Sequence, residues 1–250
     1  MKVDFHVHTN RSVDAIPSPR EVVRRARLAG LDAIAITDHN RFFPLVEARR
    51  LTREFGFLVI PGIEGGNIAV EKHRIGIGIT SLAGTVRIEP ILSSIRDAGG
   101  ISIAPHPHAR LGYNDYAHRV FDAVGALNGG KPDANSRICI ASHVPEVAGS
   151  DAHSLPMLGT CWSEVNAEPS VDPILESVRR GKCRPKGSTI APADMLRFYP
   201  PYIFHRILFH TGAACATACQ VVRDILRVNV GQRAAEPGRY GYDRGDQISS

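Results

Sequence analysis

The stretch from Val3 to His39, VDFHVHTNRSVDAIPSPREVVRRARLAGLDAIAITDH, decides how the rest of the chain is read. A short apolar run, Val3 to Val7, is followed by an amphipathic segment from Pro19 to Ala29 and a second apolar run, Asp32 to Thr37. The middle segment carries its own start signal, because Ser18 suits the helix cap and Pro19 the first turn, and Gly30 stops it. Strand, helix and strand in this order make a β-α-β unit.

The same rhythm continues outward. A helix is predicted near Leu45 to Phe55, strands at Phe57 to Pro61 and Arg74 to Ile79, a helix near Ile88 to Ala98, and a strand at Ile101 to Ala104. Further units fall at Phe121 to Leu127, Asn135 to Ser142, Glu146 to Ser150, Cys161 to Val165 and Pro173 to Arg180. Alternation repeated this often predicts an α/β fold with a parallel sheet and helices outside, either open or closed into a barrel. After about Thr189 the text becomes Pro-rich, then gives one long helical stretch to about Val228 and a tail of Gly, Arg, Asp and Ser. The expected organisation is a main α/β domain over residues 1–189, a helical extension over 190–230 and a disordered tail over 231–250.

Chemistry-bearing residues collect at the ends of the predicted strands. His6 and His8 flank Val7, and period-two geometry points both imidazoles to one face. Asp38 and His39 close the second strand, Glu64 follows Pro61-Gly62-Ile63, and His73 precedes Arg74. His106 follows Ala104-Pro105, and Asp151-Ala152-His153 follows Gly149-Ser150. In a parallel α/β architecture the carboxyl ends of the strands share a rim, so these residues are expected to converge there. Mixed imidazole and carboxylate donors in one place suit divalent metal ions.

Taken in order, Asp4-Phe5-His6-Val7-His8-Thr9, Ile36-Thr37-Asp38-His39-Asn40, Pro61-Gly62-Ile63-Glu64, His73, Ala104-Pro105-His106-Pro107 and Gly149-Ser150-Asp151-Ala152-His153-Ser154 form a specific set. Over residues 2–166 the sequence resembles the polymerase and histidinol phosphatase (PHP) domain family. The resemblance implies a distorted seven-stranded βα, TIM-like barrel with a trinuclear metal centre. Carried over motif by motif, it implies one ion on His6, His8, Glu64 and Asp151, a second on Asp14, His39 and His153, and a third on Glu64, His73 and His106. Glu64 would bridge two ions. Hydrolysis of a phosphoester by a metal-bound water is the implied reaction, with Asp38 orienting His39 or another ligand from behind.

Two to three divalent ions are the expected cofactors, drawn from Zn, Mn or Fe, with Mg a further candidate. Arg110, close behind His106, offers paired donors to a phosphate, and His108, Arg11 and Arg41 stand on neighbouring loops as further substrate contacts. Where many family members have an acidic residue, this sequence has Gly125, a departure that bears on pocket polarity and so on substrate.

Composition narrows the reading without deciding it. The 250 residues carry a net charge of +5 and 6% aromatics, which leaves few stacking platforms for single-stranded nucleic acid and a field that attracts anions. Cys139, Cys161, Cys183, Cys215 and Cys219 include no CxxC pair and are too sparse for a disulfide framework. No charged leader and apolar run open the chain, and His205, Arg206 and His210 interrupt the apolar segment Ile203 to Val222. The expectation is a cytoplasmic protein without a membrane span, acting on a phosphorylated small molecule or nucleotide. Nucleic-acid ends are the alternative substrate, a metal-stabilised regulatory subunit a weaker one, and the C-terminal helix is the segment suited to a homo-oligomer contact.

Overall fold

The computed structural model describes residues 1–66, 72–81, 88–108, 112–113, 116–130 and 144–190. The predicted unit at Asn135 to Ser142, Arg110, the helical extension and the tail lie outside the described residues.

Nine strands form one sheet: β1 (Lys2–Val7), β2 (Ala33–Ile36), β3 (Leu58–Gly65), β4 (Arg74–Ile77), β5 (Ile101–Ala104), β6 (Ala123–Asn128), β7 (Glu146–Gly149), β8 (Cys161–Val165) and β9 (Cys183–Gly187). Their order across the sheet is β7-β6-β5-β4-β3-β2-β1-β8-β9. Helices α1 (Pro19–Leu28), α2 (Leu45–Phe55), α3 (Ile88–Asp97), α4 (Ala117–Val120) and α5 (Val171–Arg179) connect them. At the start of α1 the Ser18 backbone N–H donates to Glu21 Oε2 at 2.8 Å and Glu21 N–H to Ser18 Oγ at 3.4 Å, a reciprocal cap.

The arc β1 to β7 closes on itself at the carboxyl ends of its first and last strands. Asp151 N–H donates to His6 O at 2.9 Å, His8 N–H donates to Ala152 O at 3.0 Å, and Val7 forms a parallel bridge with Ala152. Seven strands thus make the distorted TIM-like barrel. Two strands beyond the expected seven bring the sheet to nine, because β8 joins β1 antiparallel and carries β9 beside it as a ribbon.

One correction concerns direction. β1, β2 and β3 run parallel, as do β5, β6 and β7, but β4 is antiparallel to both its neighbours. The change is prepared inside β3, which runs past Pro61 where the sequence reading ended it. Leu58 to Pro61 pair with β2, whereas Gly62 to Gly65 pair with β4. Proline has no N–H to give a ladder, so Pro61 falls where the strand exchanges neighbours.

Side-chain alternation places two apolar layers. Ala33 and Ala35 of β2 join Val3, Phe5, Ile60, Ile75, Ile77, Ile101 and Ile103 in one buried cluster. Ile34 and Ile36, on the opposite face of the same strand, pack under Val22, Val23 and Ala26 of α1 and Ala48 and Leu51 of α2. Apolar burial on both faces is what a parallel strand covered by helices needs. Among the described residues no helix is long and apolar enough to cross a membrane.

Candidate metal centre

The sequence of β1 ends in two imidazoles, and the structure brings their Nε2 atoms to 2.9 Å of each other. Each Nε2 also lies 3.3 Å from Glu64 Oε2 and 3.3 Å from Asp151 Oδ1. Four donors held about 2.0–2.1 Å from one tetrahedral ion would stand roughly 3.3 Å apart, so this spacing fits a single divalent cation.

Glu64 stands at the centre of the remaining ligands. Its Oε2 is 3.1 Å from His39 Nδ1, and its Oε1 is 2.9 Å from His73 Nδ1 and 3.6 Å from His106 Nε2. Asp14 forms the far side, with Oδ2 at 3.3 Å from His39 Nε2 and 3.5 Å from His153 Nε2. All nine residues expected as ligands therefore share one cluster, and it is buried: Glu64 and Asp14 are each 1% exposed.

Burial with few well-formed hydrogen bonds makes the donor set suited to cations. Asp14 Oδ1 is enclosed with no hydrogen-bond partner among the described residues, and Glu64 Oε2 is enclosed among imidazole nitrogens 3.1–3.3 Å away. Enclosed carboxylate oxygens are costly unless a positive group faces them. Burial opposes charge on Glu64, but the imidazoles of His6, His39 and His73 hold its carboxyl well below the usual range, and His153 and His39 do the same for Asp14. His8 is likewise fully enclosed, which disfavours its charge, yet hydrogen bonds to Asp151 and Glu64 lift its imidazolium to about 10.

Backbone geometry aims these side chains. Asp151 adopts φ 53°, a left-handed conformation that Asp tolerates better than most residues, and this turns its carboxylate back to β1 while its N–H bonds to His6 O. Asn128 at the end of β6 donates from Nδ2 to Asp151 Oδ2 at 3.2 Å. His153 Nδ1 lies 2.8 Å from Asp151 O. A carbonyl can only accept, so His153 carries its proton on Nδ1 and turns Nε2 to Asp14. Asn40, also left-handed at φ 53°, exchanges two side-chain bonds with the Gly66 backbone and fixes the strand end beyond Glu64.

Three groups escaped the sequence reading. Ser150, at the end of β7, donates from N to Asp4 Oδ1 at 2.9 Å and from Oγ to Asp4 Oδ2 at 2.5 Å, locking the β7 end to the strand that bears His6 and His8. Burial pushes the Asp4 carboxyl up to about 7 against these bonds. Ser12 and Asn128 are the others. None has ligand spacing of its own, and each is recognisable only from what it touches.

Two glycines mark close approaches. A Cβ on Gly149 would overlap the His6 side chain and backbone, so only glycine lets β7 lie against β1 here. Gly149→Ala is expected to destabilise the metal-free fold by about 1–3 kcal/mol, as overpacking does; thermal melts check it, and a melting temperature equal to that of the parent would refute it. Gly125, where the family often has an acid, packs against the Pro105 carbonyl with no room for a side chain. Its smallness lets the segment bearing His106 approach β6.

The expected substrate contacts are spread out. Arg41 is exposed and its N–H bonds to Asp38 O at 3.5 Å, beside His39. The Arg11 guanidinium pairs with Glu47 of α2 and lies over Phe43, 5.4 Å from the ring centroid. His108 Nε2 is enclosed without a hydrogen-bond partner among the described residues. Asp38 is fully buried and bonds Thr9 and Ser12 rather than any imidazole.

Known proteins share parts of this sequence and this fold. The PHP domain profile matches residues 4–148, and a PHP-associated profile matches residues 136–183. An uncharacterized protein of Methanocaldococcus jannaschii is 32% identical over 133 residues, covering 49% of this chain and 76% of its own length. A 5'-3' exoribonuclease of Haemophilus influenzae is 36% identical over 81 residues, covering 32% of this chain and 28% of that enzyme. Among solved structures, a two-domain protein of Bacteroides vulgatus containing a predicted PHP-like metal-dependent phosphoesterase shares the fold at TM-score 0.58 and 20% identity, over 82% of this chain and 69% of that one.

Proposed function

As this chain belongs to the PHP domain family, we propose that it is a metal-dependent phosphoesterase that hydrolyses a small phosphomonoester or nucleotide phosphate. The observation that carries the reading is Glu64, a buried carboxylate whose two oxygens stand among five imidazoles. The proposed unit is the barrel domain, residues 1–189, with the helical extension over 190–230 and the tail over 231–250 as additions to it.

Three groups of residues would hold divalent ions, Zn, Mn or Fe: His6, His8, Glu64 and Asp151; Asp14, His39 and His153; Glu64, His73 and His106. Bound there, such ions lower the pKa of water toward neutrality and neutralise charge on phosphoryl oxygens. The chain's own work is to hold and aim the donors. His153 does so through its Nδ1 bond to Asp151 O, and Asp151 through Asn128 and its left-handed backbone. Arg41 and Arg110 are the proposed phosphate grips, and His108 is a further proposed substrate contact. Arg11 would reach a phosphate only by leaving Glu47.

The deciding experiment is metal content by elemental analysis, paired with phosphate release from phosphomonoesters, nucleotides and short oligonucleotides, for the parent, His8→Ala and Asp151→Ala. About three metals per chain are expected, with release abolished in both variants. No bound metal after reconstitution, or activity indifferent to both changes, would refute the proposal. A second reading, cleavage at nucleic-acid ends, is favoured by the similarity to the Haemophilus exoribonuclease; release from oligonucleotides but not from small esters would select it.

A further inference from the structure

The loop between β1 and α1 contains a serine whose surroundings fix more than its own position. Ser12 Oγ lies 2.9 Å from Asp38 Oδ1, 2.9 Å from the backbone N of His39 and 3.2 Å from His8 Nδ1. Ser12 is 3% exposed and His8 and Asp38 are 0%, and the His39 N–H contact is partly buried. Water cannot substitute for a missing partner here, so every proton in the cluster must be accounted for.

Asp38 is held as an acceptor. Its Oδ1 takes the Thr9 N–H at 2.7 Å and its Oδ2 takes the Thr9 hydroxyl at 2.8 Å, while that hydroxyl in turn accepts the Arg11 N–H at 3.3 Å. The single Ser12 proton therefore goes to Asp38. One Ser12 lone pair receives the His39 N–H, which can only donate. The other faces His8 Nδ1, and two lone pairs facing each other would repel, so Nδ1 carries a hydrogen.

We infer that Ser12, held by Asp38, is a positioning residue that places the His8 proton on Nδ1 and thereby presents Nε2 as a lone-pair donor to a metal ion. The inference rests on the metal reading of the site given above. It turns the Asp38 contact into a defined chain, carboxylate to hydroxyl to imidazole. Such partners behind a ligating histidine raise its donor strength and hold its ring. The same hydroxyl bonds the backbone of His39, so one residue sets two ligands from the two neighbouring strands β1 and β2.

The test uses zinc alone, on the full chain, with affinity read by competition against a chromophoric chelator. Ser12→Ala is expected to weaken the tightest zinc site about 10- to 100-fold. Asp38→Asn, which keeps the shape and removes the charge, is expected to weaken it less. In the zinc-loaded parent protein, two-bond nitrogen–proton correlations should show His8 with a protonated Nδ1 and a metal-bound Nε2. That spectrum decides the matter even if Ser12→Ala does not fold. Zinc on His8 Nδ1, or a Ser12→Ala affinity within twofold of the parent, would overturn the inference while leaving the metal reading intact. A parent protein that binds no zinc would overturn both.

Discussion

Glu64→Gln is expected to lower phosphate release by at least ~1000-fold and to remove more than one metal ion per chain. The substitution keeps the size of the side chain, so the buried volume that Glu64 fills beside Gly65 and Ile63 is unchanged and the barrel should fold. What changes is charge and donor count. Oε2 lies within 3.3 Å of His6, His8 and His39, and Oε1 faces His73 and His106. An amide puts two hydrogens where one of those oxygens was, and it carries no negative charge to balance a cation. Removing the shared group should disturb both sets of ligands that contain it. His73→Ala, at one side of the cluster, should cost less of both quantities. Elemental analysis and kcat/KM for the two variants give the comparison. Glu64→Gln activity within tenfold of the parent would remove Glu64 from the centre of the proposed chemistry.

Why so much of this site was readable, and some of it not, follows from how the ligands are placed. His6, His8, His39, Glu64, His106 and Asp151 follow short apolar runs, and in a sheet of parallel strands the ends of such runs meet. Their convergence is therefore implied by the alternation of the sequence itself. The strand directions were less legible. Arg74–Ile77 is a short apolar run like its neighbours, and nothing in four residues says that it runs antiparallel to both. β9 contains Arg184, Pro185 and Lys186, a poor strand by propensity, and it is extended because β8 offers it a partner along five residues. The supporting groups were the least visible. Ser12, Ser150 and Asn128 are ordinary polar residues until a neighbour distant in sequence gives each a task, as Asp4 does for Ser150 across 146 residues. The pairing of Arg11 with Glu47 has the same origin, and it binds a residue expected to face substrate.

With metal removed by a chelator, the protein is expected to lose stability as pH rises from about 7 to 9.5, by an amount on the order of a few kcal/mol. His8 supplies the slope. Its ordinary value is 6.5 and the hydrogen bonds to Asp151 and Glu64 raise it to about 10 in the folded state, so its stabilising effect is complete below 6.5 and is lost as pH climbs through 10. Asp4 acts in the same direction at lower pH: burial raises it from 3.8 to about 7, so the folded state favours its protonated form and loses that advantage between those values. Glu64 and Asp14 oppose them at the acid end, because carboxyls held well below their ordinary values stabilise above about 4.5 and cease to do so on acidification. The metal-free fold should accordingly be most stable in mild acid and weaken in alkali. Bound cations should reverse the alkaline trend, since they need the same nitrogens unprotonated and bind more tightly as protons leave. Thermal melts between pH 5.5 and 9.5, with chelator and with zinc, measure the two slopes directly. A chelated protein whose melting temperature is flat or rising above pH 7 would mean that His8 is not the proton-sharing centre of the empty cluster. A chelated His8→Ala variant should lose most of the alkaline slope, which assigns it to that residue rather than to general charge repulsion at the surface.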